Sequence, residues 1–174
     1  SLETIEKINN KWSNAQTFCG PIISIPYSTT QVNADKTTHI QEHILNITPE
    51  NLNIKAQLFP EERYYGIYKT ILYKSEIDVT GNFDKINFPK LENSIIHWEQ
   101  AYLSIGVSDL RGITENIDFR LDNKQLSVEV TGNQDTQIGK MLVMPLNSTV
   151  QSLFGQPQTF NCKLKLNGSS NINF

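Results

Sequence analysis

The sequence lacks three features that mark large classes of protein. No apolar run approaches the ~20 residues that a membrane-spanning helix requires, lysine and arginine form no cluster, and there are only two cysteines. A nucleic-acid binder needs a basic face that displaces counterions from phosphates, whereas the net charge here is −3. These absences argue against nucleic-acid binding and against a fold that depends on disulfides.

Length and composition favour one folded domain rich in β-structure. A chain of 174 residues has ordinary single-domain size and can bury about 70% of the surface that its unfolded form exposes. The hydrophobic share of 38% and charged share of 19% are typical of globular proteins. Abundant Ile, Leu, Val, Thr, Ser and Asn favour strands and turns. We expect residues 1–174 to form a single domain.

The first segment has the spacing of a helix. Apolar residues recur at intervals of three and four from Leu2 to Trp12, which places them on one stripe of a helix. The pattern ends before the Gly20-Pro21 pair. A helix is therefore expected at about residues 2–13, followed by a β-rich body at about residues 20–174.

Most of that body alternates between apolar and polar residues, the period of a strand with one buried face. Leu52, Ile54 and Leu58 alternate with polar residues and predict a half-buried strand, and Asp122-Asn123 predicts a hairpin turn. Strands are expected at residues 21–27, 39–47, 51–58, 71–83, 98–107, 117–121, 126–130, 141–146 and 160–166. The predicted fold class is all-β: an antiparallel two-sheet β-sandwich or open barrel with an N-terminal α-helix.

Two residues inside predicted strands indicate local irregularities. Pro26 lacks an N–H group and predicts an edge strand or a strand end. Gly81 interrupts the longest alternating run and predicts a bulge or a close approach of another backbone.

The sequence contains no recognisable catalytic or metal-binding constellation. The G-x-S-x-G and S-x-x-K motifs of serine nucleophiles are absent, as are H-E-x-x-H and a phosphate-binding glycine loop. His39, His43 and His97 have no third ligand nearby in the sequence, so surface histidines are the expected interpretation. We expect a protein that is not an enzyme and that uses no cofactor or metal.

Two groups of residues allow both a functional and a structural interpretation. Asp109 and Arg111 flank a turn, where Arg111 could anchor an anionic ligand or where both residues could stabilise the turn itself. Tyr64, Tyr65, Tyr68, Tyr73 and Trp98 could form a stacking platform for sugars or peptides, although aromatic residues in strands more often fill the core. The structural interpretation is favoured for both groups.

The two cysteines allow one disulfide. Cys19 and Cys162 lie near opposite ends of the chain, so a bond between them would close a long loop and contribute up to about 4–5 kcal/mol. The alternative is two buried thiols that never meet.

Four stretches of the chain resemble the CreD family of bacterial inner-membrane proteins. They are W-S-N-A-Q-T-F-C-G-P-I-I-S-I-P-Y at residues 12–27, I-T-P-E-N-L-N-I-K-A-Q-L-F-P-E-E-R-Y-Y-G-I-Y at 47–68, H-W-E-Q-A-Y-L-S-I-G-V-S-D-L-R-G-I at 97–113, and L-N-G-S-S-N-I-N-F at 166–174. The likeness spans most of the chain and is weakest at residues 132–160. This resemblance gives no support to a disulfide between Cys19 and Cys162.

The resemblance implies a domain in the bacterial periplasm, held to the inner membrane by spans before Ser1 and after Phe174. It also implies a role in envelope stress, including tolerance to some colicins and β-lactams, without established catalytic residues. The leading hypothesis is a non-enzymatic sensing or interaction domain whose partner is an envelope protein or a cell-wall component. The alternatives are a carbohydrate- or peptidoglycan-binding sandwich module and a hydrolase that uses Asp109.

Overall fold

The computed structural model describes residues 18–107, 117–131, 140–153 and 155–172. The helix expected at residues 2–13 and the turn that carries Asp109 and Arg111 lie outside the described residues. Within those ranges, no helix is long and apolar enough to cross a membrane.

The described residues form β-strands joined by short connections. Two 3-10 helices, Trp98–Gln100 and Asn147–Leu153, accompany the strands. The strands are β1 Phe18–Val32, β2 Thr38–Ile47, β3 Asn51–Tyr65, β4 Tyr68–Phe83, β5 Ser94–Ile96, β6 Tyr102–Val107, β7 Asp118–Leu121, β8 Lys124–Leu126, β9 Glu129–Thr131, β10 Lys140–Pro145 and β11 Gln158–Ile172.

These strands pair in two antiparallel sheets. Sheet A has the order β2-β1-β6-β10-β9, with β5 also paired to β1, and sheet B has the order β3-β4-β11-β7-β8. Neither sheet closes on itself in the described part of the chain. The predicted two-sheet arrangement is confirmed, and of the two predicted architectures the sandwich is the one observed.

The core lies between the sheets and is built from alternating side chains of both. Ile23, Leu103 and Leu142 come from sheet A, while Val79 and Phe119 come from sheet B, and each is at most 1% exposed. All the buried apolar side chains that the structure describes belong to one cluster.

Pro26 lies inside β1, so the prediction that it marks an edge or a strand end is wrong. Its carbonyl accepts a hydrogen bond from the His97 N–H at 2.9 Å. In an extended strand the N and the C=O of one residue point to the same side, so the proline nitrogen also faces the connection between β5 and β6. The missing N–H therefore lies at the point along β1 where its neighbour on this side changes from β6 to β5.

The hairpin predicted around Asp122-Asn123 is confirmed between β7 and β8. The φ angles of Asp122 and Asn123 are 47° and 64°, as a two-residue hairpin turn with positive φ at both central positions requires. The chain then differs from the prediction, because residues 129–131 do not extend β8. They form β9, which pairs with β10 in the other sheet.

Two further strand predictions are corrected by the structure. Trp98 belongs to a 3-10 helix, and the strand predicted from it starts at Tyr102. The strand predicted to be half-buried at residues 51–58 is instead exposed along its whole length. Its apolar residues lie on the core-facing side of sheet B, at an edge that sheet A does not cover.

Gly81 marks a close backbone approach, as predicted, and not a bulge. Both β3 and β11 pair with β4 in unbroken register across it. A Cβ atom at this position would overlap the Asn51 carbonyl oxygen and lie 2.6 Å from Cζ of Phe160.

Replacing Gly81 with alanine is expected to lower the free energy of unfolding by about 1–3 kcal/mol, the usual cost of overpacking. Gly66→Asn is the matched control, because Gly66 has open space around it and a φ of +61°, which asparagine tolerates. Urea unfolding measures both variants. Equal stability of Gly81→Ala and Gly66→Asn would contradict the close packing at Gly81.

The two cysteines lie in different sheets and are free thiols in the structure. Cys19 is partly exposed at the start of β1, whereas Cys162 is fully buried on β11. Burial, with a smaller contribution from the carboxylates of Asp118 and Asp78, raises the pKa of the Cys162 thiol to about 12. The thiolate is the reactive form, so Cys162 is inert while the domain is folded.

Alkylation with iodoacetamide at pH 8 and without reductant is expected to modify Cys19 readily and Cys162 only after unfolding. Cys19→Ser is the control and should leave no reactive thiol in the folded protein. Mass spectrometry of intact protein counts the adducts. Two protected thiols that become reactive only after reduction would show the disulfide instead.

Candidate functional site

The candidate site is the free edge of sheet B, formed by β3. This strand pairs with β4 over all of its 15 residues. On its other side, no strand from the part of the chain that the structure describes pairs with it. Pro60 lies within the ladder opposite Tyr73, and a proline in a paired strand must turn its nitrogen away from the partner. The even-numbered residues of β3 therefore direct their N–H and C=O groups outward.

Three of those even-numbered residues carry exposed apolar side chains, and the odd-numbered Phe59 is 47% exposed on the other face. Leu52 and Ile54 are each 47% exposed and Leu58 is 66% exposed. Ile54 lies directly opposite Val79, which is fully buried. The apolar face that forms the core thus continues from β4 onto β3, where the cover of sheet A ends.

The opposite face of sheet B at this edge is polar and charged. A depression of about 290 Å³ lies across the three strands β3, β4 and β11. Lys55, Asp78 and Lys163 stand opposite one another in register, and the next row contains Gln57, Glu76 and Lys165. Each of these two rows contains both a positively and a negatively charged side chain.

The three histidines do not converge. Nε2 of His43 lies 2.9 Å from Oγ1 of Thr29, and its ring stacks on Tyr27 at 4.9 Å. Nε2 of His97 lies 3.2 Å from Oγ of Ser28, and His39 is exposed. Within the described ranges, no three possible metal ligands come together.

The other residues singled out from the sequence are dispersed. Asp109 and Arg111 lie outside the described residues, and the two cysteines belong to separate sheets. Trp98 packs against the core and contacts Phe88 edge-on at 6.0 Å. Tyr64 belongs to β3 of sheet B and is 67% exposed, so the structure does not join these two aromatic residues in one platform.

Sequence reasoning did not identify the β3 edge as a site. One available signal was Pro60, which follows directly on the alternating run, because proline inside a strand is confined to sheet edges and bulges. Together with Leu52, Ile54 and Leu58 on one side of the strand, Pro60 indicates an edge strand with an apolar face.

Comparison with known proteins gives a consistent family assignment. The family model described as "Inner membrane protein CreD" matches residues 1–174. The chain is 29% identical to the inner membrane protein CreD of Escherichia coli (strain K12) over 111 residues, which is 62% of this chain and 25% of that protein. No solved structure matches. The chain spans about a quarter of the length of this relative, and it belongs to the CreD family of inner membrane proteins.

Proposed function

We propose that the chain is a non-enzymatic domain on the periplasmic side of the inner membrane that supports envelope integrity by binding another envelope protein. The bound element is an extended segment that adds to sheet B along β3. The observation that carries this proposal is the 15-residue edge, which is unpaired among the described strands and carries exposed apolar side chains. A free edge of this length and composition is a template for strand addition.

The edge offers both components of strand recognition. Outward N–H and C=O groups can form a main-chain ladder with an incoming segment, and Leu52, Ile54 and Leu58 can contact its alternate side chains. The expected segment is therefore extended, with apolar side chains at every second position. Removing these three side chains from water favours binding by the hydrophobic effect.

Charge disfavours one register of a second copy of the chain at this edge. An antiparallel pair of β3 strands that sets Leu52 opposite Leu58 also sets Lys55 opposite Lys55. Like charges directly opposite each other destabilise a strand pair. In this register, charge thus disfavours a second copy as the partner.

Blocking the edge is expected to abolish function without unfolding the domain. Ala56→Pro removes an outward N–H in the same phase as Pro60 and leaves the ladder to β4 intact, and Leu58→Ser removes an apolar contact. Both changes, made in the full-length protein and expressed in a deletion strain of the host, should fail to restore survival on a β-lactam.

The matched control is Val130→Ser, because Val130 is 59% exposed on β9 at the far edge of sheet A. This variant should restore survival like the unchanged protein. The proposal fails if both edge variants, shown to be folded by circular dichroism, also restore survival.

The purified chain is expected not to turn over peptidoglycan fragments or a chromogenic β-lactam. The reason is that no nucleophile motif was found in the sequence and no metal-ligand group is present among the described residues. Turnover that disappears with Asp109→Ala would contradict this expectation and would support a hydrolase.

The polar depression of sheet B favours a second candidate, binding of cell-wall glycopeptides. Such ligands carry both carboxylates and amines, and the depression presents Lys163 and Lys165 beside Glu76 and Asp78. Calorimetric titration with muropeptides tests this function. Heat of binding that is retained in Leu58→Ser and lost in Lys163→Glu would favour it over strand addition.

A further inference from the structure

The β3–β4 hairpin continues beyond the buried core. Among the β4 residues whose burial the structure describes, the fully buried ones are Val79 and Phe83, at the end of the strand far from the hairpin turn. The strand begins at Tyr68, next to the turn formed by Gly66 and Ile67. Residues 63–69 therefore form an end of the sheet that the core does not cover, and we call this end the ribbon tip.

The ribbon tip presents apolar and aromatic groups at its apex. Ile67 is 86% exposed, the highest value among the exposed large apolar residues that the structure describes, and Tyr64 is 67% exposed. Gly66 adopts a φ of +61° with open space around it. A hydrophobic side chain is thus held at the outermost point of a tight turn.

Basic side chains surround this apex. Nζ of Lys69 lies 2.7 Å from a carboxylate oxygen of Glu62 and 6.0 Å from the centre of the Tyr64 ring. Arg63 lies 3.5 Å from the Glu61 carboxylate. Lys69 is thereby held beside the Tyr64 ring, and each of the two cations is paired with a glutamate.

A third strand stiffens the tip. β11 pairs with β4 as far as Ile172, which lies opposite Lys69. A two-stranded hairpin alone is marginally stable, whereas three strands hold their shape. The apex therefore projects from a supported sheet.

We propose that the ribbon tip lies in the headgroup interface of a lipid bilayer, with Ile67 entering the boundary of the acyl chains. Tyrosine at the headgroup level, apolar residues below it and flanking Lys or Arg are the composition of interfacial anchors. The lysine and arginine side chains can extend towards the headgroups along their apolar stems.

The shape of the tip favours a bilayer over a protein partner. A stable protein interface needs about 800 Å² from each partner, and a convex two-residue turn offers little of that area. A bilayer accepts a narrow apex because lipids rearrange around it. Membership of an inner membrane protein family places a bilayer near this domain.

A fluorophore at the apex tests the proposal. The whole chain, carrying Cys19→Ser and labelled at Ile67→Cys, is tethered by an N-terminal histidine tag to vesicles of phosphatidylethanolamine and phosphatidylglycerol with nickel-chelating lipid. Nitroxide-labelled lipids are expected to quench this fluorophore at least about threefold more than one at Val130→Cys, because only the tip enters the interface. Val130 is also exposed but lies on β9 of sheet A.

Tyr64→Ser in the chain labelled at residue 67 is expected to reduce the quenching, because it removes a ring from the interface. Circular dichroism checks that each labelled chain is folded. Equal quenching at residues 67 and 130 would overturn the proposal and leave the tip facing water or a protein. Quenching that is unchanged by Tyr64→Ser would also count against it.

Discussion

The ladder between β4 and β11 is the interaction on which the rest of the fold depends. It joins residues 69–83 to residues 158–172 in one continuous antiparallel register. On one side of this pair β4 carries β3, and on the other side β11 carries β7 and then β8. Without this ladder, sheet B would separate into the β3–β4 hairpin and a second part made of β11, β7 and β8. Val79 and Cys162 would then lose the neighbours that bury them.

The sheets of the sandwich do not cover each other completely, and the exposed remainder includes the surfaces with functional potential. Val79 on β4 is buried, but Ile54, its neighbour in register on β3, is 47% exposed. The same long hairpin carries Ile67 to an apex outside the core. The exposed edge along β3 and the ribbon tip thus have one geometric cause, which is that β3 and β4 extend past their cover.

The sequence allowed prediction of features that local chemistry determines. Asp122-Asn123 indicated its turn because both residues tolerate positive φ, and Gly81 indicated a close backbone approach because it has no Cβ. The exposure of β3 was not predictable in this way, because alternation shows which face of a strand is apolar and not whether another layer covers that face. The partner change at Pro26 and the crossing to β9 likewise depend on strands distant in sequence.

The position of β11 in the sheet has a consequence for the timing of folding. β11 is the last strand of the described chain, yet it occupies the middle of sheet B between β4 and β7. During synthesis the β3–β4 hairpin forms before its neighbour β11, because residues 84–157 lie between β4 and β11 in the chain. Non-local pairing of this kind makes folding slow and leaves apolar strand surface open in the interim. Sheet B therefore cannot be completed until residues 158–172 have been synthesised.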